Sequence, residues 1–179
     1  IEDRNPDFFI NSIDTSGVAL PEWKYNGEGD VQVDKSIIVY DANNNIYIAA
    51  TIDRYGYEGK DVVILKYDPL GNVIWNKYYS SIGTNNDTLT CFNIDSVGNL
   101  VMLISSDSLQ TRTRNNLSIV RMDVQGNFLD TTWITISPFD NVMAVMNYCL
   151  PNGQYIIGAN SKNLGGVVFR IDTAGTMIW

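Results

Sequence analysis

The chain has 179 residues, 45% of them hydrophobic and only 18% charged, with a net charge of −8. Length and apolar content suffice for a single domain over 1–179 with a sizeable core, and the acidic balance speaks against general affinity for nucleic acid or an anionic membrane. There is no His, which removes Ser-His-Asp and Cys-His catalysis, His-ligated haem and most zinc sites, and no run of about twenty apolar residues that would insert into a membrane.

Along the chain one pattern recurs: an apolar run, an Asp-x-x-Gly turn, a second apolar run. It reads Phe8 to Asp14 closing at Gly17, Val62 to Asp68 closing at Gly71, Leu117 to Asp123 closing at Gly126, and Val167 to Asp172 closing at Gly175. These aspartates lie roughly fifty residues apart, a period typical of repeat architectures. A related turn falls between each pair: Asp41 to Asn45, Asp95 to Asn99, and Leu150 to Gln154. Asp opens such a turn by accepting from backbone N–H groups two or more residues on, and Gly supplies the positive φ that a bulged hairpin needs.

The flanking runs are short and rich in β-branched and aromatic residues: Ile46-Tyr-Ile-Ala49, Val62-Val-Ile-Leu65, Val101-Met-Leu-Ile104 and Tyr155-Ile-Ile157. They are nearly continuous rather than alternating, as expected of strands covered on both faces. No segment holds a 3.6 period, so the prediction is all-β with almost no helix. The expected core includes Ile48, Val63, Ile64, Leu103, Ile104, Ile119, Ile156, Ile157 and Val168. Cys91 and Cys149 are expected on strands; their spacing does not require a disulfide, and the bridged alternative stays open.

The stretch Ser36-Ile-Ile-Val-Tyr-Asp-Ala-Asn-Asn-Asn-Ile-Tyr-Ile-Ala49, followed by Asp61-Val-Val-Ile-Leu-Lys-Tyr-Asp-Pro-Leu-Gly-Asn-Val-Ile-Trp75, resembles the β-propeller repeat of secreted and surface-attached bacterial proteins. It is also similar to NHL-type and PQQ-type blade repeats. The resemblance covers roughly 7–179 and implies about three and a half blades of four antiparallel strands: a half blade at 7–35, then blades at 36–79, 89–136 and 142–179. The strands of the three full blades would be 36–40, 46–51, 61–67 and 73–79; 89–95, 99–105, 117–122 and 128–136; and 142–149, 154–160, 166–171 and 176–179. Trp75 and Trp179 follow their turn Gly by four residues, Asp130 takes that place in the repeat between them, and Trp23 lies six after Gly17; the outer strands at those two places are expected to be shifted or bulged. A closed propeller has about four to eight blades, so these blades are expected to be part of a longer parent chain or to assemble with further copies. The chain begins at Ile1 and shows no signal peptide, which fits a processed mature protein and an excised piece equally.

In blades of that order the A–B and C–D turns share one face and the B–C and D–A connections share the other. The first face carries short Asp/Gly turns. The second carries divergent loops at 52–60, 80–88, 105–115 and 160–165, where function is expected on a repeated scaffold. These hold Arg54, Lys60, Arg112, Arg114 and Lys162, with Tyr55 and Tyr57 among them. Arg beside Tyr can grip a carboxylate or phosphate, or stack on a sugar or peptide. The binding residues are accordingly read as Arg54, Tyr55, Tyr57, Lys60, Arg112 and Arg114. The bland alternative is a solvated loop whose bases pair with Asp30, Asp34, Asp87 or Asp140.

No catalytic residue, metal site or cofactor is singled out. Asp41-x-Asn43-x-Asn45 has the opening spacing of a calcium loop but lacks its Gly and distal Glu, so a hairpin turn is expected there. Asn86-Asp-Thr88 and Asn116-Leu-Ser118 match the N-glycosylation pattern, and Asp followed by Ser or Thr and then by an apolar residue or Thr, at 87, 95, 107, 130 and 172, resembles a bacterial O-glycosylation acceptor, although Asp-Ser and Asp-Thr are ordinary turn dipeptides. The leading expectation is a non-enzymatic module, exported to the bacterial surface or medium, that binds a protein or glycan. The alternatives are a structural subunit assembling through open blade faces or edges, and a glycan lyase or hydrolase using carboxylates only.

Overall fold

In a computed structural model the chain is described at residues 8–11, 16–19, 22–25, 31–54, 59–81, 85–108, 115–134, 142–150, 152–161 and 165–179, with the side chains of some strand-end residues outside that set. All regular structure among them is β-strand. A short hairpin pairs β1 (Phe8–Ile10) with β2 (Trp23–Tyr25). A first four-stranded sheet follows: β3 (Val31–Tyr40), β4 (Ile46–Arg54), β5 (Lys60–Tyr67) and β6 (Val73–Tyr79). The second sheet is β7 (Asn85–Ile94), β8 (Leu100–Ser108), β9 (Asn115–Met122) and β10 (Phe128–Ile134). The third is β11 (Val142–Cys149), β12 (Tyr155–Ser161) and β13 (Gly165–Ile171). Within each sheet every strand pairs antiparallel with its neighbour in sequence.

The first strands of the first two sheets begin earlier than the sequence indicates, at Val31 and Asn85. The expected strand over 176–179 reduces to a bridge between Ile171 and Met177 and two hydrogen bonds joining Arg170 to Ile178 and Trp179. The expected shift at Asp130 is present, as a bulge between Phe128 and Asp130. It is not peculiar to that sheet, because the same bulge separates Lys66 from Tyr67 in the pairing of β5 with β6.

The turns explain the hairpins. Asp68 accepts from the backbone N–H of Leu70 at 2.9 Å and of Asn72 at 2.8 Å, and from the Asn72 side-chain amide at 2.8 Å. Gly71 donates back to the Asp68 carbonyl at φ +88°, a conformation that costs a Cβ-bearing residue about 1 kcal/mol or more. Asp95 and Asp123 repeat this set with Asn99 and Asn127. Gly17, Gly126 and Gly175 also have positive φ, as the turn chemistry demands. Turns of one backbone pattern open at positions 41, 68, 95, 123, 150 and 172; the first five lie 27 or 28 residues apart, and the last follows after 22. The hairpin, half of the fifty-residue period, is the smallest recurring element.

The sheets stack face to face, and alternate residues of one strand enter different cores. Ile48, Ala50, Val63, Leu65 and Tyr67 pack with Ile10 and Trp23 of the β1–β2 hairpin. Their neighbours Tyr47, Ala49, Val62 and Ile64 pack with Phe92, Leu100, Met102 and Val120 of the second sheet. Val101, Leu103, Leu117 and Ile119 then pack with Tyr155, Ile157, Ala159 and Phe169 of the third. Double coverage is why these strands are apolar at nearly every position.

Two of the expected core residues need correction. Val168 is 61% exposed and Ile156 is only half-buried. Both point away from the second sheet, onto the face of the third sheet that no described residue covers. The remaining seven, Ile48, Val63, Ile64, Leu103, Ile104, Ile119 and Ile157, are buried.

Candidate functional site

Each sheet presents its two ends differently. At one end lie the Asp-opened turns. Asp41 there accepts from the backbone of Asn43 and Asn45, the Asn45 side chain and the Tyr47 hydroxyl, all within 3.0 Å. Its oxygens are thus occupied by the turn itself. Among the described residues no group of three or more acidic or Cys side chains is gathered to hold a metal ion.

At the other end the strands terminate in the connections that differ between sheets. Lys60, opening β5, forms an ion pair with Asp34 of β3, and its backbone N–H donates to Asn86 Oδ1 of the second sheet at 3.1 Å. The termini of β4 and β5 therefore lie beside the start of β7, whose Asn86 and Asp87 pair with Asp107 and Ser106 near the end of β8. The connections that follow β4 and β8 leave neighbouring sheets at the same end. Arg54 is the last residue of β4, with its side chain outside the described residues, as are Tyr55, Tyr57, Arg112, Arg114, Lys162, Asp30 and Asp140.

No family model and no curated protein matches this chain.

Beneath that end lies a polar network absent from the sequence reading. Asp87 is fully buried. It accepts from the Ser81 backbone N–H at 2.6 Å, the Ser81 hydroxyl at 2.8 Å and the Ser106 hydroxyl at 2.5 Å. Among the described residues it thus joins Ser81, after β6, to Ser106 of β8. Close by, Leu89 donates its N–H to Thr51 Oγ1 at 2.8 Å, and Lys35 Nζ donates to the Thr90 carbonyl at 2.8 Å. Burial and then the charge of Asp87 raise the pKa of the Tyr79 phenol above its ordinary value. The arrangement fixes where the sheet ends sit. Among the described residues it offers no exposed acid–base pair: the Asp87 oxygens are sealed from solvent and Lys60 is paired with Asp34.

Sequence spacing could not disclose the Asp87 network, since Ser81 and Ser106 are ordinary residues in unrelated parts of the pattern. Asn86, the first N-glycosylation candidate, uses its side-chain oxygen between the two sheets; the side chain of Asn116 lies outside the described residues. Cys91 is half-buried on β7, where its sulfur accepts from Asn93 Nδ2 at 3.7 Å.

Proposed function

We propose that this chain is a run of β-propeller blades acting as an exported, non-enzymatic binding module, and that its partner, a protein or a glycan, meets the end bearing Arg54, Tyr55, Tyr57, Arg112 and Arg114. The observation that supports this is the contrast between the two ends. At one end the turns are nearly uniform, their Asp, Asn and Gly reversing the chain and taking the same contacts from the adjacent sheet each time. The other joins neighbouring sheets through Lys60 and Asn86 and leads into connections of differing length and composition, where Arg and Tyr are concentrated. Arg and Tyr bring large contact area for few frozen rotamers and make the natural anchors. Lys60 stays in the contact set, its ion pair with Asp34 leaving the side chain 35% exposed.

A glycan array and a peptide array probed with the purified chain test the reading. Every hit is measured again with Arg54→Ala plus Arg112→Ala. Loss of at least about tenfold in affinity, a normal hot-spot effect, at an unchanged melting temperature supports the site; equal binding by the double variant overturns it.

A second reading is favoured by a separate observation, the apolar face of the third sheet on which Met146, Tyr148 and Val168 are exposed. In that reading the chain is a structural subunit that assembles through its open sheet faces. Contiguous exposed apolar surface of this kind marks contact sites.

A further inference from the structure

The β11–β12 turn, which opens at Leu150, is built differently from the turns opening at 41, 68, 95, 123 and 172. In those five the first residue is Asp. Its carboxylate accepts from the backbone N–H of the third residue of the turn. It also accepts from that of the fifth, at 2.8 to 3.0 Å. Leu150 brings no carboxylate, yet the backbone closes in the same way: Gly153 N–H donates to the Leu150 carbonyl at 2.9 Å, with Gly153 at φ +79°. The acceptor for the fifth N–H comes from inside the turn, where Gln154 donates to Asn152 Oδ1 at 3.3 Å. That contact is longer than its five counterparts, and a neutral amide oxygen is a weaker acceptor than a carboxylate.

Asn152 is exposed and is followed directly by Gly153. Asn43, Leu70, Val97, Gln125 and Ala174 hold the same place in the other five turns, and Asn43 is followed by Asn44. Among the described turns only this one therefore sets Asn before Gly. The chain's other Asn-Gly pair, Asn26-Gly27, lies outside the described residues.

An Asn side chain can close a five-membered ring with the next backbone nitrogen. Glycine leaves that nitrogen free of side-chain crowding. The deprotonated Gly153 nitrogen attacks Asn152 Cγ, the Cγ–Nδ2 bond breaks, and Nδ2 leaves as ammonia with the proton that Gly153 gave up. The succinimide that remains is opened by water at either of its two carbonyls. One opening leaves aspartate with the main chain intact; the other leaves isoaspartate, whose main chain runs through the former side-chain carbon. In the closed turn the Gly153 N–H is held by the Leu150 carbonyl, so attack proceeds from a locally opened turn. Opening is easier here than in the other five turns, because it breaks no hydrogen bond to a charged opening residue.

We propose that Asn152 is a self-modification site: it deamidates spontaneously in the folded protein, at a rate set by opening of the β11–β12 turn. The aspartyl product gives this turn the anionic acceptor that its opening residue lacks, now at the third position and facing the same Gln154 N–H. The isoaspartyl product lengthens the main chain inside the turn and breaks the pairing of Gly153 with Leu150. Water is the one co-reactant, and no enzyme or partner is required.

Peptide mapping by mass spectrometry of the purified chain, aged in mildly alkaline buffer, tests this. The same chain unfolded in guanidinium is the reference, and Asn152→Gln is the blank. The expected result is aspartyl and isoaspartyl forms accumulating at position 152 of the folded chain, more slowly than in guanidinium. Leu150→Asp supplies the missing carboxylate, and its folding is checked by circular dichroism. It should slow the folded-state reaction by about tenfold, the effect of one hydrogen bond to a charged group on turn opening, and leave the rate in guanidinium nearly unchanged. A folded chain that keeps Asn152 intact while the unfolded reference converts overturns the site. Equal rates in the folded parent and folded Leu150→Asp overturn the control by turn opening.

Discussion

The carboxylate of Asp87 on β7 and the hydroxyl of Ser106 on β8 meet at 2.5 Å inside the protein, with neither side chain in contact with solvent. Because Ser81 adds two further donors, removing the carboxylate strands a backbone N–H and two hydroxyls at once. Asp87→Ala is expected to cost roughly 3 kcal/mol or more, since a buried polar group left without its partner costs about 1–3 kcal/mol. Asp87→Asn keeps the shape and part of the acceptor capacity and should cost less. Urea denaturation of the two variants measures the order; equal losses would mean that the carboxylate charge is irrelevant to the network.

Gly71 and Gly98 separate two costs that a turn glycine can carry. Both have positive φ, +88° and +91°. An added Cβ meets nothing within 4 Å at Gly98, whereas at Gly71 it would fall inside the Trp23 indole. Gly98→Ala should therefore lose only the backbone preference, about 1 kcal/mol, and Gly71→Ala distinctly more. Gly71→Val adds a β-branched side chain, poorly tolerated at positive φ, and should be worse again. A thermal-melt cycle with Trp23→Ala checks the cause: combined with it, Gly71→Ala should shrink towards the Gly98→Ala value.

The turn aspartates make stability depend on acid pH. The Asn72 side-chain amide, and then its backbone N–H, hold the Asp68 carboxyl below its ordinary range, and Asn127 does the same for Asp123. At Asp41 burial works upward, but the Asn45 amide, the Asn45 N–H, the Tyr47 hydroxyl and the Asn43 N–H together outweigh it. A carboxyl depressed in the folded state contributes fully above its unfolded pKa, about 3.9, and that contribution is lost as pH falls through the folded value. The denaturation midpoint should hold from neutral pH to about 5 and decline below about 4. Asn72→Ala with Asn127→Ala should flatten that decline; an unchanged acid limb would locate the titrating groups elsewhere.

Ile119 and Val168 hold equivalent places, yet one is buried between two sheets and the other lies 61% exposed. Ile119→Ala should destabilise the fold by about 2–5 kcal/mol, the range for truncating a close-packed aliphatic side chain. Val168→Ala in the dilute monomer should change it by less than about 0.5 kcal/mol, as surface substitutions do. Ile64→Ala is a second core position and should match Ile119→Ala.

The comparison of Ile119 with Val168 also shows where sequence reasoning stops. Both lie in similar apolar runs before an Asp turn, and the pattern identifies each as a sheet-facing residue. Whether a further sheet covers that face is a property of what stands beside it, which local spacing does not encode. The turns were legible because their chemistry is local: Asp accepts from N–H groups two and four residues on, and Gly answers with positive φ. The buried Asp87 and the pairing of Lys60 with Asp34 were not, since each joins residues that only the stacking of strands brings together. The same holds for the Lys66–Val124 and Arg121–Thr173 contacts, whose recurrence is visible in the sequence only once the turns are aligned.

The division of each strand between two cores makes the stack behave as a one-dimensional series, in which a sheet is as durable as the neighbours on either side of it. The second sheet is sandwiched between the first and the third, while among the described residues the third is covered on one face only. Native-state hydrogen exchange should then be graded along the chain rather than uniform. Amides of β8 and β9 should open only with global unfolding, those of β12 and β13 sooner, and those of the two-stranded β1–β2 hairpin first. Covering the outward face of the third sheet would slow exchange there before it changed anything in the middle, so the protection pattern itself records which end of the series is occupied.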